Sequence, residues 1–515
     1  MEEAQPYSSL LIPTVFLLIA FSFLAKYYKS KSKEANQKLP PGPWKLPIIG
    51  NFHQVAKAGP LPHRAFRELA KKHGPIMHLK LGENSTVVIS SPKVAKEVLK
   101  TYDGSFQKRP IIAAVPVITY GPSDIVFSPS GDYWRDMRKI CTLELLSKKR
   151  VQSLAHVREA EIEKIMEKIR ESSGSEINLT DLIFYLISCT VYRAAFGNST
   201  MDHGEFIGLI KEAMQILGGF NWADLFPSIK GLHSLSGLKS RVEMLHKKLD
   251  RFMEVIIKEH QEKQREGRTD VEDEDLVDVL LRVQQSNNLE TNLTITHVKA
   301  VIGDIFAAGM DTTGATLEWA MSEMVKNPRV MAKLQAELRQ ALKGKKTIHE
   351  SDIEELSYLK LVVKEVLRLH CPTPLLIPRE CTEETNILGY DIPVKTRVMV
   401  NVWAIARDPE YWHDAESFIP ERFEGSSLDY KGNNFEYLPF GAGRRICPGM
   451  NFGVAGLTLP LAMLMYHFNW ELPHGMKPED LDMTEVPGLA IARRIPLRVI
   501  PTVYDPSLHH DDISI

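Results

Sequence analysis

The chain has 515 residues, 44% of them hydrophobic and 25% charged, and 63 basic against 65 acidic side chains leave a formal net charge of -2. Such a composition supports a large buried core and excludes disordered and fibrous classes, while the near balance of charge leaves no footprint for a polyanion, which argues against nucleic acid as a partner. The five cysteines, Cys141, Cys189, Cys371, Cys381 and Cys447, form no C-x-x-C pair and no even framework, so neither a structural zinc site nor a secreted disulfide scaffold is expected.

Residues 4–25 carry no charge and are strongly apolar, the length and character of a membrane-spanning helix. Glu2 and Glu3 precede this stretch, and Lys26, Lys29, Lys31 and Lys33 follow it. That is the reverse of a cleaved signal peptide, and by the positive-inside rule it leaves the rest of the chain on the cytosolic side. A basic, proline-rich hinge follows over 26–43, ending in Leu39-Pro40-Pro41-Gly42-Pro43, a stiff connection to one large domain over 44–515.

Beyond Pro62 the pattern is mostly that of amphipathic helices. A strand pair is expected near Ile76–Leu81 and Thr86–Ser90 before a helix over Pro92–Leu99, and a second strand-rich stretch over Ile387–Val400. The fold class is therefore mainly α with small β-sheets. Lys258–Asp275 alternates dense charge and reads as a solvated loop between helices. A long helix is expected over Ile295–Lys326, stopped by Asn327-Pro328. Its middle, Ala307-Ala308-Gly309-Met310-Asp311-Thr312-Thr313-Gly314, is a poor helix former, at about 1 kcal/mol for each glycine. Ser351 with Glu354 reads as a capping box opening a helix that runs to just before Pro372 and places Glu365 and Arg368 on one face.

In Pro439-Phe440-Gly441-Ala442-Gly443-Arg444-Arg445-Ile446-Cys447-Pro448-Gly449, glycines lie on both sides of a single cysteine. They let backbone approach a flat cofactor and aim N–H groups at a sulfur, while Phe440 shields it and nearby arginines favour the thiolate. A buried inert cysteine in a turn would account for neither the glycines nor the arginines.

The pattern F-x-x-G-x-R-x-C-x-G on Phe440, Gly443, Arg445, Cys447 and Gly449 resembles the haem-binding signature of the cytochrome P450 family. It is joined in family order by Trp134 with Arg138, Ala308-Gly309-x-Asp311-Thr312, Glu365-x-x-Arg368 and Pro420-Glu421-Arg422-Phe423. The resemblance covers essentially the whole chain and is closest to the plant microsomal branch; the one departure is Cys371, where that branch usually has a second proline. It implies a P450 fold on an endoplasmic reticulum membrane, with haem b as cofactor and Cys447 as its axial thiolate ligand. It further implies Trp134, Arg138, Arg379 and Arg445 at the propionates, and Phe440 and Gly449 around the sulfur. Glu365, Arg368 and Arg422 would form a structural ion triad. Thr312 would bond back to the carbonyl of Ala308, open a groove beside Gly309 and, with Asp311, deliver protons for O–O cleavage. Substrate contacts are expected from Val115, Ile305, Ala308, Leu376 and Leu489. A basic patch of Lys139, Lys148, Lys149, Arg150 and Arg444 would dock an NADPH-dependent flavoprotein reductase.

The implied reaction is insertion of one oxygen atom from O2 into a lipophilic substrate, with electrons from NADPH. A terpenoid is the first expectation and an alkaloid or phenylpropanoid the second. A reductase-independent isomerase or dehydratase has no use for Asp311-Thr312, and a non-enzymatic haem protein would not consume NADPH in response to substrate.

Overall fold

The computed structural model describes residues 37–199, 201–218, 221–229, 237–267, 274–286, 292–345 and 347–505. The expected anchor over 4–25 lies outside them, as does the first part of the hinge. The proline end of the hinge is held firmly against the sheets. His78 N–H donates to the Pro41 carbonyl (2.9 Å), and Asn51 Nδ2 donates to the Pro43 carbonyl (3.2 Å). Lys38 and Asp391 exchange two further bonds, at 2.8 and 2.9 Å. A Cβ at Gly42 would overlap the His78 carbonyl oxygen, so this approach requires glycine.

The body is mainly helical. Its axis is the 32-residue helix Ile295–Lys326, about 48 Å long at 1.5 Å per residue, opened by a reciprocal Thr294–His297 capping box. The helix is α-helical throughout, and packing explains one of its two mid-helix glycines. Gly309 faces Val191, and Gly314 faces the Phe184 ring so closely that a Cβ would stand 2.9 Å from it. Both neighbours belong to the helix Leu179–Phe196. Glycine at 314 thus lets two buried helices approach closely. Leu179–Phe196 is itself apolar and long enough to cross a membrane, but 67% of it is buried inside the body, as befits a core helix.

A four-stranded sheet has the order Ile76–Leu81, Asn84–Ile89, Arg397–Val400, Arg379–Glu380. Its first pair is antiparallel (Ile76 opposite Ile89), its second parallel (Thr86 opposite Arg397) and its third antiparallel. The strand-rich stretch near residue 390 divides into a hairpin, Thr385–Ile387 with Tyr390–Ile392, and the strand Arg397–Val400. Behind the N-terminal strands the expected helix is short, Pro92–Lys96, and continues as a wider turn to Thr101.

Two expectations need correction. The charged stretch from Lys258 is not all loop, because the helix Leu238–Arg265 carries it to Arg265, burying Phe252, Ile256, Ile257 and His260 on one face. An apolar stripe continues beneath the charges and decides the matter. The capping box at Ser351 and Glu354 is also absent. His349 and Asp352 cap a single turn, Glu350–Ile353, and a separate helix Ser357–Leu369 follows. Its first N–H groups, on Tyr358 and Leu359, donate to the carboxylate of Glu337 on a neighbouring helix (2.7 and 2.9 Å). A tertiary carboxylate does here what a local cap does elsewhere.

Candidate active site

Cys447 sits in a loop folded on itself, its N–H donating to the Phe440 carbonyl and that of Ile446 to the Gly443 carbonyl (both 3.0 Å). Gly443 has φ +73°, and a Cβ there would overlap the Leu99 carbonyl oxygen. The helix Met450–His467 begins just past the sulfur, with Gly449 at its N-cap. Burial raises the Cys447 thiol pKa, while the Gly449 N–H and the Arg138 charge oppose it. Burial prevails over both. The other four cysteines are buried, and Cys447 alone among the five is partly open. Cys371 packs beside the same loop, its thiol donating to the Pro439 carbonyl (3.6 Å), and burial pushes its pKa up to about 12.

Four arginines converge beside this loop. Arg445 donates to the carbonyls of Gln107, Ile125, Val126 and Ser128. Arg109 donates to those of Val126, Ile377 and Pro378. Arg379 pairs with Asp103 (2.6 Å) and the Ala442 carbonyl (3.0 Å), and Arg138 donates to the Ile446 carbonyl. Burial first, then mutual repulsion, pulls down the pKa of Arg109, and the same causes bring Arg445 down to about 10. Most of their partners are neutral carbonyls, so the cluster holds positive charge that a pair of carboxylates, such as haem propionates, would match. Trp134 departs from expectation: its indole N–H is taken by the Ile125 carbonyl (3.1 Å), and its ring lies 4.2 Å from the Arg445 guanidinium, which it supports from below. Arg109 escaped the sequence reading because it stands in a loop with no motif around it.

Glu365 and Arg368 are fully buried and form two parallel bonds of 2.7 and 2.9 Å. Arg422 adds a third cation contact to Glu365 at 2.9 Å, and Ile419 N–H a fourth bond at 2.8 Å. Arg368 also holds the carbonyls of Ala406, Ala415 and Ser417, so both charges are desolvated with their hydrogen-bonding capacity filled.

On the central helix Thr312 Oγ1 donates to the Ala308 carbonyl at 2.6 Å, the back-bond expected from the sequence. Asp311 is mostly buried, which raises its pKa, and Lys211 opposes the rise. One face of this helix, Ala300, Gly303, Asp304, Ala307, Ala308 and Thr312, forms a wall of a cavity of about 140 Å³ whose exposed lining is predominantly apolar. Leu489 and Ala490 close it from the C-terminal loop, and Ile210, Met214 and Met253 from other helices. Of the expected substrate residues, Ala308 and Leu489 line this cavity, whereas Val115, Ile305 and Leu376 do not. Val115 and Ile305 turn into the core, and Leu376 packs against Gly441 of the cysteine loop. Apolar character alone does not tell a core side chain from a cavity wall. On the surface, Lys139, Lys148, Lys149 and Arg444 are exposed, but Arg150 turns inward to the Glu274 carbonyl and leaves the expected basic patch.

Comparison with known proteins agrees with this geometry. The cytochrome P450 family model matches residues 40–497. The chain is 56% identical to cytochrome P450 71D8 of Glycine max (98% of this chain, 100% of the other). It is 52% identical to premnaspirodiene oxygenase of Hyoscyamus muticus (96% and 98%) and 54% identical to desmethyl-deoxy-podophyllotoxin synthase of Sinopodophyllum hexandrum (96% and 96%). A solved zebrafish cytochrome P450 with progesterone superposes with a TM-score of 0.75 at 25% identity, over 86% of this chain and 99% of that one. The chain is a haem-thiolate monooxygenase of the cytochrome P450 family. It belongs with the plant A-type members, taking haem b as cofactor, O2 as co-substrate and NADPH electrons through a reductase.

Proposed function

We propose that this protein hydroxylates or epoxidises a plant terpenoid, from a single-pass anchor over 4–25 in the endoplasmic reticulum membrane, with the domain over 44–515 in the cytosol. The observation that carries the catalytic reading is the helix face that walls the cavity and also presents Thr312, back-bonded to Ala308. The haem, when bound, supplies dioxygen activation and the redox chemistry. Cys447 would hold it from the loop side, with Gly449 N–H at the sulfur and Phe440 as shield. Arg138, Arg379 and Arg445, joined by Arg109, would hold its propionates, and Trp134 would position Arg445. The Thr312 hydroxyl, already donating to a carbonyl, orders water at the cavity wall, and Asp311 holds the proton that this water passes on. Glu365, Arg368 and Arg422 hold the scaffold behind the cysteine loop. Lys139, Lys148, Lys149 and Arg444 form the face that receives the acidic reductase.

Terpenoid is favoured by the match to premnaspirodiene oxygenase, and the podophyllotoxin-forming relative keeps an oxygenated phenylpropanoid as a second reading. The primary test is the carbon monoxide difference spectrum of reduced protein beside Cys447→Ser and Cys371→Ser. A red-shifted thiolate Soret band lost only in Cys447→Ser supports the assignment; its absence from folded, haem-loaded wild type refutes it. Product formation from terpenoids with reductase and NADPH then tests the substrate class.

A further inference from the structure

The polar groups in the cavity wall are mostly committed to the protein itself. Thr119 donates to the Val115 and Gly121 carbonyls (both 2.9 Å), and Tyr120 donates to Asp250 (2.9 Å). Lys299 is held by Asp250 (2.6 Å) and Glu254 (3.2 Å), and Thr312 donates to Ala308. Asp304 differs. Its Oδ2 accepts the N–H groups of Ile125 (2.8 Å) and Val126 (3.3 Å), while its Oδ1 has no hydrogen-bond partner among the described residues. Burial and the neighbouring Asp124 push its pKa well up. A carboxyl with one oxygen clamped by the loop and the other uncommitted is a hydrogen-bonding group in an otherwise apolar wall.

We propose that Asp304 is a specificity-determining residue whose free carboxyl oxygen hydrogen-bonds an oxygen function already present on the substrate, so that the cavity selects an oxygenated terpenoid over the parent hydrocarbon. This rests on the terpenoid monooxygenase reading above and narrows its substrate. Asp304 precedes Thr312 by eight residues, about 12 Å along the helix. The existing oxygen therefore sits at one end of the substrate and the new one enters at the other. A prior step that installs an alcohol or carbonyl must supply such a substrate. The same carboxyl fixes Ile125 and Val126, whose carbonyls accept from Trp134, Arg109 and Arg445, so it also ties the cavity roof to the arginine cluster.

The test uses the haem-loaded full chain and matched probes: 5-epiaristolochene and its monohydroxylated derivative, and premnaspirodiene and its hydroxylated derivative. Dissociation constants are read from the ligand-induced Soret shift. The oxygenated member of each pair is expected to bind about tenfold tighter or more, the penalty for leaving a buried polar group unmatched. Asp304→Leu should bring the ratio close to one, and Asp304→Asn should keep it, since the amide accepts from the loop with its oxygen and donates with its nitrogen. Equal or tighter binding of the hydrocarbons by wild type, no shift with either member, or a preference that survives Asp304→Leu overturns the proposal. The wild-type comparison stands if the leucine variant fails to fold. A protein that keeps its thiolate carbon monoxide spectrum and oxidises hydrocarbon better than alcohol refutes the role of Asp304 while leaving the monooxygenase reading intact. Loss of that spectrum from wild type refutes the underlying reading instead.

Discussion

Around Glu365, two arginines and a backbone N–H fill one carboxylate completely, whereas the Asp304 carboxyl is answered on one oxygen only. Both are carboxyl groups on helices deep in the same body. The first is locked by matched charge, whereas burial and Asp124 raise the pKa of the second. The contrast shows how one fold separates holding a cofactor from admitting a substrate. The scaffold behind the cysteine loop spends its polar groups on itself, and the cavity keeps its few polar groups quiet or in reserve.

The comparison is tested most severely on the scaffold side. Cys447→Ser removes the proposed metal ligand, and the thiolate Soret band and all product formation should vanish. Glu365→Gln or Arg368→Met leaves an uncompensated buried charge and should cost about 3–5 kcal/mol. The expected result is haem-free or aggregated protein in purified yields. Holoprotein at wild-type yield with merely slow turnover would mean that the triad acts in catalysis and not in folding.

A second carboxylate sharpens the contrast through pH. Glu485 is buried, which raises its pKa, but bonds from His63 (3.0 Å) and Arg64 (2.8 Å) outweigh this and bring it down to about 2. A folded-state pKa below the unfolded value gives stability that is present above about pH 4.5 and is lost as pH falls toward 2. Glu485→Gln should therefore destabilise by roughly 3 kcal/mol near pH 7 and by progressively less below pH 4.5, as read by chemical denaturation at several pH values. A pH-independent difference would show that the group contributes packing and not charge.

On the cavity side, Thr312→Val removes the hydroxyl but preserves shape. Product formation should fall by about 10²-fold while NADPH consumption continues, the signature of reducing equivalents diverted from substrate. Parallel loss of both would place Thr312 in substrate binding alone. The smallest effect is expected at Cys371→Ala: a weak thiol hydrogen bond shared between the Thr373 and Pro439 carbonyls is lost, worth about 1 kcal/mol in thermal unfolding, with the carbon monoxide spectrum unchanged.

Much of the scaffold was legible in the sequence because its chemistry is local. The cysteine loop needs glycine at fixed positions within a few residues, Glu365 and Arg368 meet because they are three apart on a helix, and Thr312 reaches Ala308 across one turn. The helix Ile295–Lys326 was legible because its apolar positions recur at helical spacing and Asn327-Pro328 ends the run. Local signals failed where a distant group takes their place: Glu337 caps the helix at Ser357, and a buried stripe under dense charge carries a helix through Arg265.

The sequence by itself determined the class of chemistry, the cysteine, the ion pair on its helix and the back-bonded threonine, since spacing along the chain fixes those geometries. Only the tertiary structure decided which apolar residues wall the cavity, that Arg109 joins the arginine cluster, and that one oxygen of Asp304 is left free. A side chain's surroundings depend on which distant segments pack against it, and no periodicity within a single helix records that.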